Sequence, residues 1–302
     1  MKRGSAYSEK TFQQNCRICG ANNWSVLYKG PIRIGKFGNW SKTDYVVWKC
    51  GQCHVGFLDL PALDYEANDY REMVDGGSSR EHHYAIHDGE QAAKVKILGT
   101  DKLRGKVIAD IGCGAGSFLD LVKGFASNTI AVEPNRSFHQ ELESKGHKTY
   151  GYCKDSLKEW EGAVDIAVSF AVLEHVENPL EFLKEINSLL KPGGVLLIST
   201  PNYRDWLIEI LPHYYGRFFF RYVHTWYFTQ ESIQTLSSLS GFSSTQIQFV
   251  QRFDISNALL WARDHRPTGL GKIQTLQGLD SAYKRLLEAN GRSDFIYARL
   301  YV

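Results

Sequence analysis

The sequence predicts an α/β protein: a doubly wound, seven-stranded, mostly parallel sheet preceded by a small cysteine-rich module. Three observations carry that prediction. From Lys106 to Pro201 short apolar runs alternate with amphipathic segments, the rhythm of strands joined by crossover helices. A loop carrying Gly112, Gly114 and Gly116 links the first of those runs to the first of those segments. Upstream, Cys16, Cys19, Cys50 and Cys53 form two C-x-x-C pairs among short aromatic and β-branched runs.

Taken in order, residues 1–62 read as the module, with short strands such as YVVWK. Residues 63–104 read as a helical connector covering the ligand loop, with helical periodicity in GEQAAKVKIL. Residues 105–302 read as the sheet domain. In it KVIADI is a buried strand and GSFLDLVKGF its helix. NTIAVE is the second strand, and NRSFHQELESKG a helix closing at Gly146. HKTYG is a weak third strand and VDIAVSF the fourth. NPLEFLKEINSLLKPGG is a helix with proline near its start and Lys-Pro-Gly-Gly at its end, and VLLISTP is the fifth strand. Residues 202–228 break the rhythm with an aromatic insertion that reads as a lid or substrate wall. TQESIQTLSSLSGF is a helix capped by Thr229, and STQIQFV and DFIYARLYV close the sheet. Residues 254–292 yield no reading.

The formal charge of +2 and the absence of any long basic run argue against a nucleic-acid partner and leave a small molecule as the expected one. No segment is long and apolar enough to span a membrane, so a cytoplasmic protein is expected. In that compartment four paired cysteines are metal ligands rather than disulfides. Two knuckles present four thiolates to one tetrahedral Zn2+, a structural site because no coordination position stays open. Four unrelated buried thiols, or a redox dithiol, are the competing readings; neither pair opens a helix in a βαβ unit, as a redox motif would.

The glycine loop names its ligand class by charge. Asp110 ends the strand directly before it. A carboxylate there repels a pyrophosphate and attracts an amino group, and G-x-G-x-G is not the G-x-G-x-x-G of dinucleotide sites. Glu133 ends the second strand, where doubly wound folds place the acid that receives two ribose hydroxyls. The expected ligand is a nucleoside with a cationic amino-acid tail. The plainer alternative is that the glycines only make a tight turn, and Cys113 reads as a small loop residue.

Asp110, Gly112, Gly114, Gly116, Glu133 and the stretch VSFAVLEHVENP resemble the class I S-adenosylmethionine-dependent methyltransferases. That resemblance implies S-adenosylmethionine as cofactor, with Glu133 on the ribose and Asp155 near the adenine amine. It also implies a pocket lined by Phe170 and Leu173.

Methyl transfer needs an aligned acceptor, and a hydroxyl or carbon acceptor needs a base. LEHVENP stands where amino-group methylases carry an Asn-Pro-Pro-Tyr type motif, so that chemistry has no support. Three places offer a base: Glu174 and His175, at the mouth of the fourth strand; His224, among Tyr222, Trp226 and Tyr227; and His82, His83 and His87 in EHHYAIH. His224 is preferred. The competing readings are a loop brace for His175 and a satisfied histidine in an aromatic lid for His224. His82, His83 and His87 read as a helix surface with one residue facing the cofactor.

A four-cysteine module ahead of this core resembles the deoxysugar C-methyltransferases, which act on nucleotide-linked keto-sugars. His224 and Tyr227 fit their lid pattern; Val223 stands in place of its Glu and Arg221 in place of its Tyr. That family continues into a second large α/β domain. A sugar hydroxyl and a sugar carbon therefore both stay open as acceptors. The rivals are an RNA methyltransferase with a zinc recognition module, and a cofactor-binding subunit without catalysis. The oligomeric state stays open.

Overall fold

The computed structural model describes residues 12–35, 38–61, 63–67, 70, 72–73, 76–267 and 271–302. Three antiparallel strands come first: β1 (Trp24–Gly30), β2 (Tyr45–Cys50) and β3 (Gly56–Leu58). Helix α1 (Arg80–Leu98) starts nine residues earlier than the periodicity around GEQAAKVKIL suggested. Ser79 explains the start, since its hydroxyl accepts the His82 N–H at 3.1 Å. The helix buries His83, Gln91, Lys94 and Leu98, a mostly polar stripe, because what it covers is a cavity rather than a core.

The main sheet is assembled from β4 (Val107–Ile111), β5 (Asn128–Val132), β6 (Lys148–Tyr150), β7 (Val164–Phe170) and β8 (Leu190–Pro201). Between them run α2 (Ser117–Val122), α3 (His139–Ser144), α4 (Cys153–Trp160) and α5 (Pro179–Leu189). The expected second helix begins with a 3-10 turn, Arg136–Phe138, ahead of α3. Helix α4 is an addition to the sequence reading. Helix α5 stops at Leu189 rather than running through Lys-Pro-Gly-Gly. The Leu190 backbone is already extended and Gly193 is left-handed at φ 76°, so the chain loops out before pairing resumes at Val195.

The aromatic insertion folds as α6 (Trp206–Ile210), α7 (Pro212–Phe219) and the two-residue strand β9 (Trp226–Tyr227). Then come α8 (Gln230–Leu239), β10 (Ser244–Val250), α9 (Ile255–Asp264), α10 (Asp280–Ala289) and β11 (Phe295–Tyr301). Among the described residues the main sheet has seven strands in the order β10-β11-β8-β7-β4-β5-β6. All neighbours are parallel except β11, which is antiparallel to both β8 and β10. The predicted doubly wound, Rossmann-like sheet is therefore the observed one. Its order reverses between β4 and β7, and in open α/β sheets the crevice outside the carboxyl ends at that reversal is where ligands bind.

Strand β9 does not stay with the main sheet. Trp226 pairs with Phe57 and Tyr227 with Gly56, so β9 is the outer strand of the N-terminal sheet, order β1-β2-β3-β9. The insertion is thus stitched into the cysteine module, not a free lid. The Trp226 ring packs 4.7 Å from Phe57, its indole N–H donates to the Val176 carbonyl at 2.9 Å, and it is 1% exposed. A core containing Ile32, Val47, Leu58, Tyr215, Phe219 and Tyr227 seals the joint. Among the described residues no helix is long and apolar enough to cross a membrane.

Candidate functional site

Each cysteine knuckle is built by the same two backbone bonds. Cys16 N–H donates to Ala21 O and Gly20 N–H to Cys16 O; Cys50 N–H donates to Val55 O and His54 N–H to Cys50 O. The residue after each second cysteine is left-handed, Gly20 at φ 77° and His54 at φ 61°. The turns bring the four sulfurs together: Cys16 Sγ lies 3.7 Å from Cys53 Sγ and Cys19 Sγ 3.5 Å from Cys50 Sγ. All four Sγ atoms lie within 4.8 Å of one another. A tetrahedral zinc with Zn–S bonds of about 2.3 Å needs S–S edges of about 3.8 Å, so the donor set fits the ion.

At the sheet's reversal point lies a cavity of about 1370 Å3. One part of its wall comes from the first strand-helix units: Asp110, Gly112, Ser117, Glu133, Tyr152 and Phe170. Helix α1 closes this part with His83, His87, Gln91 and Lys94. Burial pushes the Asp110 carboxyl up to about 7, against the pull of the Lys94 ammonium and with help from the Glu133 charge. Glu133 is fully buried and held by two amides: Oε2 accepts from Gly114 N–H at 2.8 Å and Oε1 from Asn135 N–H at 2.9 Å.

The glycines have packing reasons that the sequence reading did not assign. All three are left-handed, and Gly116 caps α2. A Cβ on Gly112 would stand 2.4 Å from Val172, one on Gly114 2.2 Å from the His83 ring, and one on Gly116 2.6 Å from Leu142. Only Gly112 of the three lines the cavity. Of the four residues expected at the cofactor by resemblance, Glu133 and Phe170 line the cavity and Asp155 and Leu173 do not. Asp155 lies exposed in the first turn of α4, where its carboxylate accepts the Tyr152 N–H at 3.1 Å. Leu173 is fully buried in the core beneath the loop.

The other part of the wall brings together the preferred base and its two alternates. Glu174, His175 and His224 each offer a ligand or proton-accepting atom, and these atoms lie within 4.8 Å of one another. All three line the cavity and are buried. Glu174 Oε2 accepts the Thr200 hydroxyl at 3.0 Å, and burial pushes its carboxyl up to about 7. His175 donates its Nδ1–H to the Val223 carbonyl at 2.8 Å, leaving Nε2 as an acceptor. The two imidazoles meet edge to face, centroids 4.7 Å apart. Arg221 Nη1 donates to His224 Nε2 over 3.5 Å. Burial, reinforced by His175, Arg221 and Arg33, holds His224 well below the usual histidine range, so its ring is neutral. Tyr215, Phe218 and Phe219 supply an aromatic wall beside the cluster. Of the upstream histidines, His83 is buried against the glycine loop and lines the cavity with His87.

Arg33, Tyr65 and Lys94 also line the cavity and were passed over by the sequence reading, and Arg221, noted there only for its place in the lid pattern, lines it too. For α1 a signal existed: His83, His87, Glu90, Gln91 and Lys94 recur at helical spacing, a polar stripe on one face. For Arg33 none existed, because it reaches the site only through the backbone bridge that sets it beside Arg221.

An open sheet with this strand order, a glycine turn and two buried acids at adjacent strand ends defines a Rossmann-like S-adenosylmethionine-dependent methyltransferase fold. The chain belongs to the methyltransferase-domain family, whose model, described as "Methyltransferase domain", matches residues 82–247. It is 32% identical over 136 residues to a ubiquinone biosynthesis O-methyltransferase of a Bradyrhizobium species, covering 41% of this chain and 52% of the relative. It is 33% identical over 130 residues to the Caulobacter vibrioides protein of the same name, covering 41% and 49%. The chain spans about half the length of the curated relatives it matches. Among solved structures it matches a chain of the complex between the Haloferax volcanii Trm112 methyltransferase activator and a methyltransferase. That match has a TM-score of 0.50 at 15% identity, over 72% of this chain and 94% of the other, and it shows the fold alone.

Proposed function

We propose that this protein transfers the methyl group of S-adenosylmethionine to a hydroxyl of a small, ring-bearing, sugar-like acceptor. One observation carries the reading: a single cavity joins Asp110 and Glu133 on one side to Glu174, His175, His224 and an aromatic wall on the other. In this reading the Asp110 carboxylate takes the cofactor's ammonium, Glu133 its ribose hydroxyls and Phe170 its base. Gly112, Gly114 and Gly116 shape the turn. Asp155 and Leu173 act from behind the wall, by capping α4 and by filling the core. Glu174, His175 and His224 face the acceptor oxygen and promote the loss of its proton. Residues 1–62 bind one structural Zn2+ through Cys16, Cys19, Cys50 and Cys53, residues 63–104 cover the cofactor, and residues 105–302 carry the transfer.

Support for oxygen comes from relatives named as O-methyltransferases. The four-cysteine cluster favours a second reading, transfer to a sugar carbon, through its resemblance to the deoxysugar enzymes. Calorimetry with S-adenosylhomocysteine tests the cofactor, and absent binding sinks the proposal. Transfer of a labelled methyl group to a panel of nucleotide sugars and free phenols tests the acceptor. Label on a sugar oxygen supports the main reading, label on a sugar carbon replaces it with the second, and label on phenol oxygen alone refutes the sugar-like acceptor.

A further inference from the structure

Glu174, His175 and His224 come from two loops, one after β7 and one between α7 and β9, yet their donor atoms converge within 4.8 Å at the cavity wall. Exposure is only 2%, 7% and 4% respectively. Two imidazoles and one carboxylate on a face open to a cavity are the donor set of a divalent transition-metal site with free positions. We propose that these three residues bind one divalent cation of the Mn2+, Fe2+ or Zn2+ type, and that the acceptor's hydroxyl oxygen completes its coordination.

The surroundings match what such a site requires. Metal-binding histidines donate their other ring N–H to a carbonyl or carboxylate, which fixes the tautomer and aims the lone pair. His175 does this through Nδ1 to the Val223 carbonyl. Glu174 is oriented by the Thr200 hydroxyl. Tyr65 donates its hydroxyl to the His175 carbonyl, bracing the same loop. On the opposite side Arg221 donates to His224 Nε2 over 3.5 Å, a long contact. Arg221 and Arg33 both place positive charge beside His224, so they oppose cation binding there.

The inference rests on the methyl-transfer reading and says how the acceptor is activated. A hydroxyl bound to a cation loses its proton more readily. The proton leaves to water in the cavity. The oxygen lone pair then forms the O–CH3 bond, and the electrons of the S–CH3 bond return to sulfur, giving S-adenosylhomocysteine.

The test uses the zinc-loaded protein and Mn2+ alone, followed by loss of the free-ion EPR signal. One Mn2+ per chain is expected in addition to the zinc. Glu174→Gln and His224→Ala are expected to weaken binding at least tenfold while zinc content holds. Thr200→Val, a milder change, is expected to weaken it severalfold. Arg221→Gln is expected to tighten binding, an outcome that general disruption of the fold does not produce. No binding at millimolar Mn2+, or equal binding by all variants, overturns the cation site. S-adenosylhomocysteine calorimetry on the same samples separates the claims: cofactor binding without Mn2+ binding leaves the transferase reading standing and removes only the cation.

Discussion

Lowering the pH from 7.5 to 5.5 is expected to weaken S-adenosylhomocysteine binding about 25-fold through one residue, Asp110. Its carboxyl is buried and raised to about 7. If only the carboxylate pairs with the ligand's ammonium, affinity follows the ionised fraction of the free protein. That fraction falls from roughly three-quarters to about 3% over this range, equivalent to about 1.9 kcal/mol. The sign for folding is opposite. The folded state keeps a proton that the unfolded state has released above about pH 4, so this group's contribution to stability declines as pH rises from about 4 to 7. Calorimetric titrations at half-unit steps measure the first effect, and thermal melts of the ligand-free protein the second. Asp110→Asn is expected to flatten the binding profile. A pH-independent wild type, or a variant retaining the wild-type slope, refutes the argument that Asp110 meets the ammonium.

Three further outcomes follow. Gly112→Ala places a Cβ 2.4 Å from Val172 in a left-handed residue, at a cost of about 2–4 kcal/mol in chemical denaturation; adding Val172→Ala is expected to recover the steric part and leave the backbone part. Metal analysis is expected to find one zinc per chain, and Cys50→Ser to lose it together with several degrees of Tm; a zinc-free wild type with the same Tm as the variant counts against the knuckle assignment. Trp226→Ala removes the ring that joins β9 to β3 and is expected to cost about 3–5 kcal/mol, read by denaturant melts; a loss below 1 kcal/mol shows that the joint does not hold the insertion.

The core was legible because its signals are local. Alternating apolar runs, a glycine turn and acids at two strand ends depend on neighbours within a few residues, and they led to the sheet, to Asp110 and Glu133, and to the four cysteines. Glu174, His175 and His224 were each visible as polar residues near strand ends or rings. One element was missed and another was read only in part, for physical reasons. Helix α4 begins directly after a three-residue strand, too short for a period to register. The polar stripe of α1 lowered the contrast that marks an amphipathic helix, because its buried face meets a cavity.

By itself the sequence determined the backbone chemistry: where glycine permits a left-handed turn, where strands alternate with helices, and which side chains bring sulfur, imidazole or carboxylate. Only the tertiary structure decided which of them meet. Hydrogen bonds between distant backbones set Trp226 and Tyr227 against Phe57 and Gly56, carrying His224 to within reach of Glu174 and His175 and standing Arg33 beside Arg221. Those pairings span long stretches of chain and leave no local pattern, since a backbone N–H or C=O carries no mark of the partner it will find.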